Sequence, residues 1–326
     1  MIFPVFNAAL LIFFVIILGG FLRSIKCLKP EADESLTAMC INVLYPCMIF
    51  DKISKTDIPS HWTAFGIAPV LGFLSLLIPL IVVWMFVKLP GRVTGLRGSE
   101  ERSTFMASGA LYNYGYLPIP ILSLLYPGED EIMTGLFIFT LGVELAVWSL
   151  IVPCMAGGFQ KGWWKKMLSV PFITIVVAVT LNCLGWIPYI PESVRKTVEW
   201  IGLAQLTFPC IIIGAIMYDQ ICHRLIDFRA GRTYQTTLWC LFFRCILFPV
   251  LMIYAASFFA GNPILQKILV IQAAMPTAMM IVLFARMYGG SPAVGIQAIL
   301  STSLLSPLVA VFWITQGMRW LGLAAS

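Results

Sequence analysis

The sequence predicts an all-α polytopic membrane protein: ten transmembrane helices arranged as two inverted five-helix repeats. The first observation is composition: 60% of the 326 residues are hydrophobic and 11% are charged, whereas soluble domains carry about 25% charged residues. The second is spacing: short charged clusters are separated by apolar runs of roughly 20 residues, long enough for a helix to cross a bilayer. The third is a similar order of prolines in the two halves of the chain.

Ten apolar runs are the predicted spans, which we number one to ten in chain order. They cover residues 3–22, 36–53, 63–87, 103–125 and 133–154 in the first half, and residues 168–187, 194–218, 236–259, 264–287 and 292–314 in the second. The first run has no basic residue before it and is followed by Arg23, Lys26 and Lys29. A cleaved signal peptide has the reverse order, so we interpret this run as a membrane span.

The basic residues of the loops predict the orientation. Fourteen Lys and Arg residues follow odd-numbered spans, whereas six follow even-numbered spans or lie in the C-terminal tail. Cytoplasmic loops carry the excess of Lys and Arg, so we expect a multi-pass protein of the plasma (inner) membrane with both termini outside. The loop after span four, "YPGEDE", has three acids and no base, in agreement with an outside position.

The prolines of the two halves predict an internal repeat. Similar stretches recur in the same order, and the matched positions are Pro46 with Pro209, Pro79 with Pro249, and Pro118 and Pro120 with Pro276. Each half contains five spans, an odd number, so the halves must insert with opposite orientation, as in many secondary transporters. We therefore expect a first repeat at 1–155, a short cytoplasmic link at 156–167 and a second, inverted repeat at 168–326.

Spans four and nine each contain a stretch that is predicted to interrupt the helix: "YNYGYLPIP" at 112–120 and "IQAAMPTAMM" at 271–280. Proline removes a backbone N–H and its ring clashes with the preceding turn. Irregular backbone at membrane depth is tolerated only where protein or a water-filled cavity surrounds it. The N-terminus of a half-helix then presents partial positive charge and free N–H groups, which suit an anion or a polar ligand.

Two matched interruptions predict a substrate site where they meet near the bilayer midplane. The candidate substrate-binding residues are Asn113, Tyr114, Gly115, Pro118, Pro120, Gln272, Pro276 and Thr277. The alternative interpretation is a pair of proline kinks whose polar groups bond to neighbouring helices. We expect the free N–H groups and the Asn113 amide to be the leading ligand contacts.

Two ionisable residues stand alone within predicted spans: Glu144 in span five and Arg244 in span eight. Such residues are functional candidates by default. Glu144 is a candidate proton carrier, because burial favours its neutral form, and Arg244 is a candidate to balance a carboxylate substrate. The alternative is a structural role, in which the two pair with each other or bond to the backbone.

Several function classes are excluded by what the sequence does not contain. It has no Walker motif, no Gly-rich phosphate loop, no G-x-S-x-G motif and no histidine pair suited to a metal. We therefore expect no enzyme, no cofactor and no metal, and a gradient as the source of energy. The net charge of +6 is explained by membrane topology, so nucleic acid is not an expected partner.

At these motifs the sequence resembles the auxin efflux carrier family, which includes the plant PIN auxin carriers and bacterial malate and malonate permeases. The most specific stretches are "QAAMPTAMMIVLFARMYGG" and "ILSTSLLSPLVAVFWI" in spans nine and ten. "INVLYPCMIF" and "LTFPCIIIGAIM" resemble the second and seventh spans of the family. The link "GGFQKGWWKK" is short, as in the bacterial members, and lacks the long loop of the PIN carriers.

The resemblance implies an arrangement that the residues alone do not. Helices four and nine would cross, spans one, two, six and seven would form a scaffold that is often dimeric, and spans three to five with eight to ten would form a moving transport domain. The function it implies is secondary active transport of small organic anions, carboxylates such as malate, malonate or auxin-like acids, by an elevator mechanism with proton or sodium coupling. Besides the anion, the expected partners are membrane lipid and a second copy in a homodimer. A channel or membrane sensor on the same scaffold is the alternative.

Overall fold

The computed structural model describes residues 2–159, 161–163, 165, 168–222 and 231–323. Across these residues the chain is helical, with one isolated β-bridge and no longer strand. Part of the predicted link at 156–167 and the basic residues Lys166, Arg224 and Arg229, which contributed to the predicted orientation, lie outside the described residues.

The first half of the chain forms nine α-helices within the described residues. In chain order they are α1 (Ile2–Ser24), α2 (Asp33–Met39), α3 (Tyr45–Lys55), α4 (Trp62–Val87), α5 (Gly91–Thr94), α6 (Ser99–Ala110), α7 (Pro118–Leu125), α8 (Asp130–Ala146) and α9 (Val152–Ala156). A π-helical turn joins α2 to α3 and another joins α8 to α9, so that each pair forms one longer helical run.

The second half contributes eight further α-helices to the described part of the chain. They are α10 (Val170–Cys183), α11 (Glu192–Leu203), α12 (Phe208–Cys222), α13 (Gly231–Leu241), α14 (Phe248–Ser257), α15 (Pro263–Ala273), α16 (Met280–Tyr288) and α17 (Pro292–Trp320). A π-helical turn again joins α13 to α14, whereas a 3₁₀ turn joins α11 to α12.

Seven helical runs in the described residues are long and apolar enough to cross a membrane. They are Phe3–Ser24, Pro30–Lys55, Pro59–Val87, Asp130–Ala156, Glu192–Cys222, Tyr234–Ser257 and Pro292–Trp320. The chain is therefore an all-helical polytopic membrane protein, as predicted. Predicted spans four, six and nine correspond to interrupted or shorter helices, and the ten crossings and the inverted repeat stay predictions.

Prolines explain the π-helical turns. The turns Cys40–Leu44, Val147–Ile151 and Phe242–Leu247 each end two residues before a proline. In a regular helix the proline ring would clash with the carbonyl one turn earlier, and inserting one residue into the turn moves that carbonyl away. A single wide turn of this kind keeps the helix running while it absorbs the proline.

Two pairs of helices pack with their backbones in direct contact. Between α1 and α12, a Cβ on Gly19 would overlap the Ile211 carbonyl, and a Cβ on Gly214 would overlap the Ile16 carbonyl. Small residues at such positions let membrane helices approach closely. Any side chain larger than hydrogen would force these two helices apart.

The contact between α4 and α8 has the same reciprocal form. A Cβ on Gly72 would overlap the Phe139 carbonyl, and a Cβ on Gly142 would overlap the Pro69 carbonyl. Elsewhere in the bundle α3 packs against α10 and α11, and α14 packs against α15. The interrupted helices lie next to these pairs, with α6 beside α4 and α7 beside both α1 and α8.

Candidate functional site

The two interrupted helices meet at their breaks. The first break separates α6 from α7, and the second separates α15 from α16. Tyr112 and Thr277 form an antiparallel β-bridge across them. The Asn113 N–H donates to the Pro276 carbonyl at 2.8 Å, and the Ala278 N–H donates to the Leu111 carbonyl at 3.1 Å. Each break thus satisfies part of the other's unpaired backbone, which explains how both persist inside a buried core.

The side-chain oxygen of Asn113 holds the backbone of the first break. Its Oδ1 accepts from the N–H groups of Tyr116 at 3.1 Å and Leu117 at 3.4 Å. The side chain is buried, with 6% of its surface exposed. Its Nδ2 donates no hydrogen bond to any described residue, and an amide nitrogen carries two donors. The oxygen therefore has a local structural role, whereas the nitrogen has no partner among the described residues.

Pro118 and Pro120 reduce the number of free N–H groups at the start of α7, whereas a half-helix was expected to present such groups there. They remove two N–H groups from its first turn. The remaining N–H groups of that turn, at Ile119 and Ile121, point to the carbonyls of Gly115 and Leu117 at 3.4 Å. The helix start itself therefore offers an anion few donors, and the prolines shape the break without presenting N–H groups.

The free backbone donors lie next to the bridge instead. The N–H groups of Tyr114 and Gly115 in the first break, and of Met279 and Met280 in the second, donate to no described atom. A Cβ placed on Gly115 would find only the Tyr45 hydroxyl, at 3.9 Å. The backbone at Gly115 is therefore not covered by other described residues, and its predicted contact with a ligand stays a prediction.

Gln272 and Thr277 connect the second break to the first. The Thr277 hydroxyl donates to the Ser108 carbonyl at 3.1 Å, and its N–H donates to the Thr302 hydroxyl at 3.2 Å. Gln272 Nε2 donates to the Tyr114 carbonyl at 3.1 Å, whereas its Oε1 is buried without a partner. Thr277 is thus fully used in holding the two breaks together, and Gln272 retains one unpaired acceptor.

Glu144 lies beside the first break on α8. Its Oε1 accepts from the Tyr114 hydroxyl at 2.6 Å, and the carboxyl group is partly buried. Tyr114 therefore joins the carboxyl group to the first break, whose residue Tyr112 forms the bridge. A change in the charge of Glu144 would act directly on this hydrogen bond and through it on the break.

Arg244 lies on the other side of the bridge, in the π-helical turn before α14. Its Nε donates to the Met275 carbonyl at 2.8 Å and its Nη2 to the Gln272 carbonyl at 3.4 Å. The guanidinium carbon is 4.8 Å from the centre of the Tyr112 ring. No carboxylate among the described residues lies within 4.0 Å of it. Arg244 and Glu144 are therefore not partners of each other, since Arg244 bonds to carbonyls at the second break and Glu144 bonds to Tyr114 in the first.

Sequence reasoning missed several residues that contact this site, including one in α3 and one in α4. Tyr45 in α3 approaches Gly115, and Ser75 in α4 bonds to the Tyr112 hydroxyl with 2.7 Å between the oxygens. Tyr45 had a signal, because it comes directly before Pro46 in a matched proline stretch. No feature of the sequence indicated Ser75, because a serine in an apolar span normally bonds to its own helix.

The space beside the bridge is small. A cavity of about 30 Å³ lies between the breaks and the helices α1 and α17, and its lining includes Ala9, Leu117, Pro276 and Pro307. This volume holds about one water molecule. In this conformation the cavity is therefore smaller than an organic acid of several heavy atoms.

Comparison with known proteins identifies the family. A family profile described as "Membrane transport protein" matches residues 4–157 and 158–314 of this chain. The chain belongs to this family. The match covers nearly the whole chain, and it confirms the resemblance to the auxin efflux carrier family that the span motifs indicated.

Two relatives are similar over most of their length. One is named "Uncharacterized transporter", from Methanocaldococcus jannaschii; it is 23% identical over 94% of this chain and 97% of its own. The other is named "Putative malonate transporter", from Rhizobium meliloti; it is 27% identical over 90% of both chains. Family and relatives thus indicate a membrane transport protein rather than an enzyme.

Proposed function

We propose that this chain is a secondary active transporter of small carboxylate anions, which it binds at the bridge between the two interrupted helices. The observation that carries the proposal is the set of unpaired donors around that bridge. Two N–H groups from each break and the Nδ2 of Asn113 donate to no described atom. Such donors, with the positive ends of two helix dipoles, favour an anion.

Dicarboxylates of malonate size are the first substrates to test. A malonate carries two carboxylates on one carbon, so its acceptors can reach donors on both sides of a narrow bridge. One relative, 27% identical to this chain, is named for malonate transport. Malate and auxin-like acids, which the family resemblance also implies, differ in size and apolar area and belong in the same panel.

Alternating access by an elevator motion fits the packing of the bundle. The helices α1 and α12 form one close pair, and α4 and α8 form another. The bridge lies between these two pairs, and the cavity beside it is too small for a dicarboxylate. We infer that α4, α8 and the interrupted helices move together against a scaffold that contains α1, α3, α10, α11 and α12. This division follows the one that the family resemblance implies.

Coupling to a proton gradient is assigned to Glu144. The residue lies in a span, where a charged carboxylate is unfavourable, and it bonds through Tyr114 to the substrate-binding break. Binding of a proton to Glu144 would change that hydrogen bond while the substrate is held nearby. Sodium is the alternative coupling ion. Uptake driven by an imposed gradient of one ion but not of the other distinguishes the two.

Uptake into liposomes tests the proposal. Purified protein should accumulate labelled malonate with saturable kinetics, and excess unlabelled carboxylate inside should accelerate entry by exchange. Uptake should depend on an imposed proton or sodium gradient. Lack of saturable uptake and of exchange for the whole mono- and dicarboxylate panel would reject the proposal. Currents in planar bilayers far above transporter turnover would instead indicate a channel, and specific binding without flux would indicate a sensor.

A further inference from the structure

Arg244 is a buried cation whose charge is not balanced by the described part of the chain. Only 2% of its surface is exposed, yet no described carboxylate lies within ion-pair distance. Arginine keeps its proton in proteins, and a buried charge without a partner is strongly unfavourable. The carbonyls of Met275 and Gln272 and the face of Tyr112 offset part of this charge. They carry no net negative charge themselves.

A groove leads from the outer surface of the bundle to this guanidinium. It has a volume of about 130 Å³ and lies between α4 and α14. Its walls are apolar, and its polar residues are Arg244 and Ser75 at the inner end. Ile78 and Leu251, on its two sides, are 49% and 38% exposed. In a membrane-spanning bundle such exposed apolar side chains face lipid, so the groove opens sideways into the bilayer.

We propose that this lateral groove binds an amphiphile from the membrane, with its apolar chain between α4 and α14 and its carboxylate paired with Arg244. A guanidinium has five N–H donors, and the two bonds to the span-nine carbonyls use two of them. Three donors remain, and a bidentate pair with a carboxylate needs two. The ligand class is thus a medium- or long-chain carboxylate, distinct from the small dicarboxylates proposed for the bridge.

The groove is linked to the bridge through two of its lining residues, which also bond to residues at the bridge. Arg244 holds the carbonyls of the second break, and Ser75 bonds to Tyr112, one of the two bridge residues. A carboxylate that draws the guanidinium toward the groove would change the bonds that hold the second break. The groove is therefore a site through which the membrane's content of free acids can alter transport.

Binding of dodecanoate tests the proposal directly. The full chain is placed in phosphatidylcholine nanodiscs, and the Kd of labelled dodecanoate is measured with dodecanol and malonate as competitors. We expect dodecanoate to bind and to raise the melting temperature, with weak competition from either molecule. Arg244→Gln should weaken dodecanoate at least tenfold, equivalent to about 1.4 kcal/mol. Arg286→Gln, at an exposed arginine on α16, should leave the Kd unchanged.

A second variant keeps the test valid if Arg244→Gln fails to fold. Ala255→Phe fills the groove without touching the charge, because Ala255 is one of its lining residues, whereas Val250 on the same helix is not. Ala255→Phe should weaken dodecanoate at least tenfold, and Val250→Phe should not. Equal binding of dodecanol, or unchanged dodecanoate affinity in Ala255→Phe, would overturn the proposal. Strong competition by malonate would also overturn it, because Arg244 would then belong to the substrate site. Failure of malonate transport leaves this test unaffected.

Discussion

At the scale of single residues, Asn113 has one side-chain atom that holds the local fold and another that we propose to contact the substrate. Its oxygen holds the turn that leads into α7, and its nitrogen has no described partner. A change that preserves one function and removes the other can separate them. Aspartate does so, because a carboxylate oxygen still accepts from the same N–H groups while the two donors are lost.

Asn113→Asp should therefore raise the KM for malonate about tenfold or more, and it should also lower the melting temperature, because a charged carboxylate is unfavourable at this buried position within a span. The expected size follows from the loss of a hydrogen bond to a charged group, about 1.5–3 kcal/mol, together with repulsion between the new carboxylate and the anion. Uptake kinetics in liposomes and the melting temperature are the measurements. Asn42→Ala, at an exposed asparagine of span two, is the matched control. An unchanged KM in Asn113→Asp would remove Asn113 from the binding site.

A substitution at Glu144 can distinguish substrate binding from coupling to a proton gradient. Glu144→Gln keeps an oxygen that can accept from the Tyr114 hydroxyl but cannot take up a proton. We expect malonate exchange to continue, while acceleration of uptake by a pH gradient is lost. Glu131→Gln, near the start of the same helix, should retain the full pH response. If Glu144→Gln and the wild type respond equally to the gradient, Glu144 is not the coupling group.

At the scale of helices, the reciprocal glycines identify which helices are in direct backbone contact. The pair Gly72 and Gly142 brings the backbones of α4 and α8 into contact, and the pair Gly19 and Gly214 does the same for α1 and α12. These contacts depend on the absence of a side chain, and their loss should be felt as loss of stability. Glycines that face open space provide the comparison.

Gly72→Ala and Gly66→Ala should change stability in opposite directions, although both lie in α4. Alanine at Gly72 would overlap the backbone of α8, and overpacking of this kind destabilises by about 1–3 kcal/mol. Alanine at Gly66 meets nothing within 4 Å and should stabilise the helix by about 0.5–1 kcal/mol. Melting temperatures of the two purified variants give the comparison. A Gly72→Ala protein as stable as Gly66→Ala would show that α4 and α8 are not held in close contact.

At the scale of the whole molecule, the orientation in the membrane stays a prediction from charge. Ion pairs connect the segment after span four to two other parts of the chain. Lys52, at the end of span two, bonds to Asp130 at 2.8 Å, and Lys267, at the start of span nine, bonds to Glu129 at 2.9 Å. These contacts place all three segments at one end of the bundle.

Labelling of two single cysteines tests the orientation. Gly261→Cys lies in the loop between spans eight and nine, and Gly98→Cys lies in the loop between spans three and four; neither position has a neighbour within 4 Å. In a background with the exposed Cys27, Cys183 and Cys222 replaced by serine, an impermeant maleimide should label Gly261→Cys in intact cells. Gly98→Cys should react only after permeabilisation. The reverse pattern would invert the predicted topology.

The sequence by itself determined the class of the protein and the position of both helix breaks. Apolar runs and prolines act through local physics, since a helix needs about 20 apolar residues to cross a bilayer and proline disrupts the turn before it. The sequence therefore identified "YNYGYLPIP" and the stretch around Pro276 before any contact between them was known. It also marked Glu144 and Arg244, because ionisable residues are rare within spans.

Only the tertiary structure decided which atoms of these stretches are free. The Asn113 oxygen accepts a hydrogen bond from the Tyr116 N–H, whereas its nitrogen has no described partner. The hydroxyl and N–H of Thr277 bond to Ser108 and Thr302. Arg244 bonds to a carbonyl of the second break instead of to Glu144. These outcomes could not be predicted, because a hydrogen-bond partner depends on which distant segments meet and in what register. Hydrophobicity is a property of each segment alone, whereas the pairing of polar groups in a buried core is a property of the assembled bundle.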